Sequence, residues 1–247
     1  MRKIHIGTMG WSYRFWVDEF YSKGTDASNY LTEYSKHFDT VEVDNTFYRI
    51  PAEETVIKWK NQTPPEFSFS AKFPQLITHF KMLKNCQMET DRFIKCISSF
   101  ENKLGPLLLQ FPSTFGDAYV DELHDYLSNL PAGYRFAVEV RNRKILTDKF
   151  YSVLRNNRVA LALVDSPFMP EIAEITADFV YLRWEGDRRK VKGTLGKIEV
   201  DRAGDVKKWV EKIRLLTEDS NEVFGYFSKY YSGFPPADAE QLLNLLT

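Results

Sequence analysis

The chain has 247 residues, with 33 Lys and Arg against 34 Asp and Glu for a net charge of -1. No bulk electrostatic partner follows from that balance, and histone-like or polybasic binding is excluded. A chain of this size can bury about three quarters of its surface, yet its 15% aromatic content exceeds what one core needs and leaves rings for rims and ligand surfaces.

Met1 to Gly7 lack the apolar core of a secretory signal and lead into a first predicted strand at 3–9. Leu31, Tyr34 and Phe38 recur at helical spacing ahead of a second strand at 39–44. Pro51 is placed to open a helix holding Val56 and Ile57, and a third strand follows at 67–72. The next helix carries Phe93, Ile97 and Phe100 and is read as including Cys86 and Cys96. Ten helical residues separate these two cysteines by about 15 Å, too far for a disulfide, which points to a reducing compartment. Strand four is predicted at 106–111, then Asp117 as cap of a helix with Val120, Leu123, Leu127 and Leu130, then strands five and six at 135–141 and 158–165. Pro167-Phe168-Met169-Pro170 leaves room only for a short or irregular helix. A seventh strand at 178–184, a helix capped by Asp205 with Trp209, Ile213 and Leu216, and an eighth strand at 222–228 complete the pattern. No run of eighteen apolar residues occurs, so the expectation is a cytoplasmic protein without a membrane partner.

Eight strands alternating with helices give about 31 residues per unit, the step of an α/β protein built as a (β/α)8 TIM-type barrel. The expectation is one such domain over 1–247, irregular between strands six and seven. A doubly wound open sheet is the rival, but the Gly-rich turn that would bind a dinucleotide after its first strand is missing.

Several strands alternate one apolar and one polar face: Val41 and Val43 against Glu42 and Asp44, Phe69 and Ala71 against Ser70 and Lys72, Val138 and Val140 against Glu139 and Arg141. Helices cover the outside of a barrel, so the apolar faces should point out and the polar ones in. A charged or strongly polar residue tends to come last in its strand, as with Lys72, Gln110, Glu139 with Arg141, Asp165 and Arg183, which predicts convergence at the carboxyl mouth. Desolvating an ion costs several kcal/mol, so these groups must pair, meet water or meet a ligand. A structural salt-bridge plug is the plainer reading; a catalytic cluster is favoured because Val and Leu fill a barrel at less cost. If the network is buried, Arg141→Ala costs about 3–5 kcal/mol.

At these residues the sequence resembles a known family. Gly10-Trp11-Ser12-Tyr13, Phe20-Tyr21, the run from Thr40 to Tyr48, the run from Phe67 to Lys72, Ile77-Thr78-His79, Leu109-Gln110-Phe111-Pro112, Ala137-Val138-Glu139-Val140-Arg141 and Val164-Asp165-Ser166-Pro167 are similar to motifs of the YecE-like family, the domain of unknown function numbered seventy-two. The resemblance spans essentially the whole chain. It implies a TIM-type barrel and no established activity. Three motifs depart from the family pattern: Glu185 stands in Arg183-Trp184-Glu185-Gly186 where the family shows His, and Phe227-Ser228-Lys229 replaces Phe-Asn-Asn. A later Asn-Ala becomes Asp238-Ala239.

Among candidate chemistries the residues require no cofactor. One metal set is conceivable, His79 with Glu42, Glu139 and Asp165, suited to Mg or Mn rather than Zn, and it is the weaker reading. Cys86 and Cys96 read as inert buried thiols, and Ser12 and Ser166 lack a nucleophile elbow. Anion binding does better: 186–202 carries six cations against three carboxylates after the seventh strand, where barrels commonly bind phosphate. A solvated loop explains that run equally well. Aromatic residues at the strand ends, including Trp11, Tyr13, Phe47, Tyr48, Trp184, Tyr230 and Tyr231, would ring the same face and suit sugars or bases.

The leading expectation is an enzyme, a hydrolase or lyase, acting by acid–base chemistry on a phosphate- or sugar-containing substrate. Glu139 and Asp165 are the candidate acid and base, with Lys72, Arg141 and Arg183 stabilising negative charge and Glu42 orienting them. Trp11, Tyr48, His79, Gln110, Trp184 and Lys192 are candidate ligand contacts. Two rivals stay open: a nucleic-acid-binding or processing protein that holds a single strand or flipped base, and a non-catalytic binder of a small anionic or sugar-like ligand.

Overall fold

The computed structural model describes residues 4–218 and 222–247. Lys3, at the start of the first predicted strand, lies outside them with Met1 and Arg2. The strands are β1 Ile4–Thr8, β2 Thr40–Val43, β3 Ser68–Lys72, β4 Leu104–Gln110, β5 Phe136–Glu139, β6 Ala160–Asp165, β7 Phe179–Trp184 and β8 Glu222–Phe227. They form one parallel sheet in the order β1-β8-β7-β6-β5-β4-β3-β2, and a parallel bridge between Met9 and Glu42 brings its two edges together. The result is the expected (β/α)8 barrel.

The seam between β1 and β2 is sealed by a side chain. Tyr34 Oη accepts the Thr8 N–H at 2.9 Å and donates to the Thr40 carbonyl at 3.0 Å. A Cβ at Gly7 would lie 2.2 Å from that carbonyl oxygen, so glycine permits the close approach. Beyond the strand ends, Gly10 N–H donates to the Glu42 carbonyl at 2.8 Å.

Parity along the strands separates two cores. Ile6, Val41, Phe69, Leu107, Val138, Leu163, Leu182 and Phe227 pack outward under the helices. Met9, Leu108, Ala137, Ala160, Ala162, Phe179, Tyr181, Phe224 and Tyr226 fill the barrel. The outer layer consists of α1 Tyr30–Tyr34, α2 Glu53–Asn61, α3 Gln87–Ile97, α4 Val120–Ser128, α5 Asp148–Asn156, α6 Ala203–Glu218 and α7 Pro235–Leu246. None of these is long and apolar enough to cross a membrane.

Three helix starts differ from expectation. Pro51 precedes the Ala52 cap of α2 instead of occupying its first turn. Asp117 begins a short 3-10 turn behind Gly116. Asp205 lies inside the first turn of α6, and it is Asp201 whose carboxylate accepts the Ala203 N–H at 2.9 Å. Between β6 and β7 the chain forms no helix, as two prolines close together dictate. Cys86 is the residue capping α3 and Cys96 lies within it; both thiols are buried, and desolvation raises their pKa.

Candidate functional site

Inward parity brings Glu42, Lys72, Gln110, Glu139 and Arg183 together at the carboxyl ends of β2, β3, β4, β5 and β7, all buried. Arg183 organises them. Its Nε and Nη2 reach Glu42 at 3.0 and 2.8 Å, its Nη1 meets Glu139 and also Glu185 at 2.5 Å, and Nη2 lies 3.2 Å from Met9 Sδ. A guanidinium has five N–H donors, and here all five have acceptors. Tyr181 Oη donates to Glu42 at 2.7 Å, and Ser70 Oγ lies 2.6 Å from Tyr181 Oη. Gln110 Nε2 donates to Glu139 at 2.7 Å, and Arg141 approaches Glu139 and Glu185 at 3.3 and 3.4 Å.

The two deepest carboxylates diverge. Burial raises the pKa of Glu42 against the opposing pull of Arg183. Burial acts the same way on Glu139, but Arg183, Arg141 and Lys72 outweigh it and hold that carboxyl below its ordinary value. Glu139 is therefore fixed as a carboxylate, and Arg183 has no donor left for a ligand. The plug reading fits this inner layer.

Above the plug lies a cavity of about 600 Å³. Met9 to Tyr13 line it after β1, Asp44, Asn45, Phe47 and Tyr48 after β2, Lys72, Gln75 and His79 from β3 onward, and Gln110 and Arg141 from β4 and β5. Arg183, Glu185 and Arg188 join from β7, and Ser228, Lys229 and Tyr230 from β8. Lys72 Nζ sits 4.1 Å over the Phe47 ring and 3.3 Å from Asp44 Oδ1. The His79 ring meets the same Phe47 ring edge-on at 5.0 Å, on a π-helical turn, Leu76–Phe80. Its Nδ1 is 2.9 Å from Thr78 Oγ1. Burial, then Lys72 and Arg141, lower the His79 pKa, which keeps the imidazole neutral at physiological pH.

Gly186 pins the loop after β7 to the loop after β8. Its φ of +67° suits glycine, and a Cβ there would stand 2.1 Å from the Tyr230 carbonyl oxygen. Asp187 N–H donates to that oxygen at 3.2 Å.

Of the residues singled out in the sequence, Glu42, Lys72, Glu139, Arg141 and Arg183 converge, and Trp11, Tyr48, His79 and Gln110 line the cavity with Lys72, Arg141 and Arg183. Asp165 does not. Its parity follows outward Leu161 and Leu163, and its carboxylate accepts from Trp209 Nε1 at 2.6 Å on the outside of the barrel. Trp184 also points outward, stacked on Phe227 at 4.1 Å in the core. Lys192 is exposed away from the cavity, its backbone N–H bound to Glu199 at 2.9 Å. The metal set of His79 with Glu42, Glu139 and Asp165 is not assembled, and no cluster of three metal-ligating side chains occurs among the described residues. The basic stretch 186–202 sends only Arg188 into the cavity; Arg189 is held by Asp187 and Arg202 by Asp205. Of the predicted aromatic ring, Trp11, Tyr13, Phe47, Tyr48 and Tyr230 line the cavity, while Tyr231 is core. Reasoning from the sequence passed over Glu185 and Lys229 as site residues, although both mark departures from the family pattern.

The model of the family described as "Protein of unknown function DUF72" matches residues 5–247, and the chain belongs to that family. It is 35% identical over 139 residues to the UPF0759 protein YecE of Escherichia coli K12, a match covering 56% of this chain and 48% of that protein. The aligned part thus spans about half the length of that relative. The UPF0759 protein YunF of Bacillus subtilis 168 is 26% identical over 98% of this chain and 94% of its own. A crystal structure of a DUF72 family protein from Thermotoga maritima MSB8 superposes with a TM-score of 0.83 at 24% identity, covering 99% of each chain, which shows the same fold.

Proposed function

We propose that the carboxyl mouth is the active site of an enzyme that moves a proton on a small, anionic, sugar-like substrate. The observation that carries this reading is the pairing of His79 and Lys72 around one Phe47 ring inside the cavity. The Thr78 hydroxyl donates to the Pro74 carbonyl, so its oxygen accepts from the His79 Nδ1–H, and in that tautomer the neutral imidazole has Nε2 available as a base. Lys72, largely shielded from water, supplies a fixed positive charge where an oxyanion would develop. His79 takes a proton from carbon beside a carbonyl, the C–H electron pair moves toward that carbonyl, and its oxygen gains the negative charge that Lys72 stabilises. Chemistry of this kind serves lyases as well as isomerases. Arg141, held only at 3.3 and 3.4 Å by its carboxylates, can turn toward an anionic substrate. Trp11 and Tyr13 offer ring surface for a sugar face. Glu139 and Arg183 support this arrangement from below, the former by keeping its charge and the latter by fixing three carboxylates.

The test is proton exchange from heavy water into a panel of hydroxycarbonyl compounds, sugars and their phosphates, followed by proton NMR. Exchange that disappears in His79→Asn, and that falls in wild type as pH drops below the ordinary histidine range, is the expected result. Absence of exchange or turnover across the panel, or full activity in His79→Asn, overturns the reading.

A further inference from the structure

The cations at the mouth fall into two groups. Lys72 faces Asp44, Arg141 faces Glu139 and Glu185, and Arg183 faces three carboxylates. Arg188 and Lys229 have no carboxylate partner among the described residues. Both instead lie against one aromatic ring: Arg188 Cζ is 5.6 Å and Lys229 Nζ 5.2 Å from the centroid of Tyr230, with Lys229 also 5.8 Å from that of Tyr13. A ring quadrupole attracts a cation but does not neutralise it. The nearest acidic neighbour in sequence, Asp187, is turned to Arg189, whose Nε and Nη2 donate to it at 3.0 and 3.1 Å.

A third group belongs to the same spot. Ser228 is buried and lines the cavity, and its Oγ accepts the Tyr230 N–H at 3.2 Å. Its own hydroxyl proton has no acceptor among the described residues, so it can donate into the cavity. The two loops that carry these groups are tied together by the close approach of Gly186 to Tyr230, which places the cations before any ligand arrives.

We infer that Arg188, Lys229 and Ser228 form a clamp for the phosphate dianion of a phosphomonoester, with the rest of that molecule lying toward His79. This rests on the reading of the mouth as a ligand site and names the class of substrate it takes. Two uncompensated cations match the charge of about -1.5 to -2 that a phosphomonoester carries at pH 7; a carboxylate would leave one of them uncancelled.

Isothermal titration with inorganic phosphate, a hexose 6-phosphate, the free hexose and a hexuronate tests the clamp. The hexose phosphate is expected to bind at least about tenfold more tightly than the hexuronate or the free hexose. Tighter binding of the ester than of inorganic phosphate assigns the site to an ester; equal binding of the two overturns that assignment. Arg188→Gln and Lys229→Gln should each weaken the ester about tenfold, as loss of a charged hydrogen bond does. Lys190→Gln, on the same loop but outside the cavity lining, serves as the control and should bind as wild type does. Arg188 is exposed, so its replacement does not threaten folding, and a thermal melt of each variant checks this. The ester should also weaken between pH 7 and pH 5 as its second proton is regained. Unchanged binding in both Gln variants, or a hexuronate bound as tightly as the phosphate, overturns the clamp. So does affinity for single-stranded oligonucleotides that grows with their length. If a neutral sugar exchanges protons through His79 while phosphate adds no affinity, the clamp falls and proton transfer stands. If the variants weaken phosphate binding but no panel member turns over, the clamp stands and proton transfer falls.

Discussion

Replacing Arg183 by methionine tests whether the inner charges form a plug. The Arg183 side chain is 2% exposed, and its partners Glu42 and Glu139 are 0% and 1% exposed. Methionine keeps an unbranched chain in the space and so limits the cavity contribution. What remains is two buried carboxylates without their cation, and breaking one such buried pair costs about 3–5 kcal/mol. Arg141 provides the internal comparison. Its side chain is 35% exposed and its contacts are longer, so Arg141→Ala should cost about 1 kcal/mol or less. The larger loss that the sequence alone assigned to Arg141 thus belongs to Arg183. Without Arg183 the pKa of Glu42, already raised by burial, rises further, and that of Glu139 rises from below to above the unfolded value of about 4.3. The folded variant then binds more protons than the unfolded chain, so its deficit is smaller at pH 5 than at pH 8. Urea titrations at both pH values measure this, and adding Glu42→Gln with Glu139→Gln should recover much of the loss. A deficit under about 1 kcal/mol for Arg183→Met, or one equal to that of Arg141→Ala, would refute a buried plug.

Three further outcomes are expected. Tyr34→Phe leaves the buried Thr8 N–H without its acceptor at the β1–β2 seam and should lower stability by about 1–3 kcal/mol in urea unfolding. Burial pushes Asp238 up to about 7, only partly opposed by Ser232 and Arg202. Because the folded state holds that proton more tightly than the unfolded chain, its contribution is present near pH 4 and lost as pH rises through 7. Asp238→Asn should therefore stabilise the protein at pH 8, on the order of 1–2 kcal/mol, and have little effect at pH 4; equal urea midpoints at pH 8 would contradict it. Asp165→Asn weakens the bond to Trp209 and should cost about 1 kcal/mol while leaving ligand affinity at the mouth unchanged by titration.

The barrel was legible because local chemistry encodes it. Alternation in Thr40–Val43 and in Ser68–Lys72 follows from the two-residue period of a strand, and that period also sends Glu42 and Lys72 inward. The same rule, applied strictly, excludes Asp165 and Trp184. In β6 the small residues Ala160 and Ala162 face in and Leu161 and Leu163 face out, so residue 165 shares the outward face. A place at the end of a strand suggests the mouth, but parity decides which way the side chain points. Other facts exist only after folding. Glu42 and Arg183 are 141 residues apart and lie on strands that are not neighbours in the sheet, so their pairing requires the barrel axis to bring them together. Which cations are consumed and which remain free is likewise a matter of distance: the sequence shows a cationic run at 186–202, whereas folding turns Arg189 onto Asp187 and leaves Arg188 with Lys229 beside Tyr230. Strand periodicity is a short-range property of the chain, but ion pairing across a barrel depends on contacts between distant segments, and composition carries no record of them.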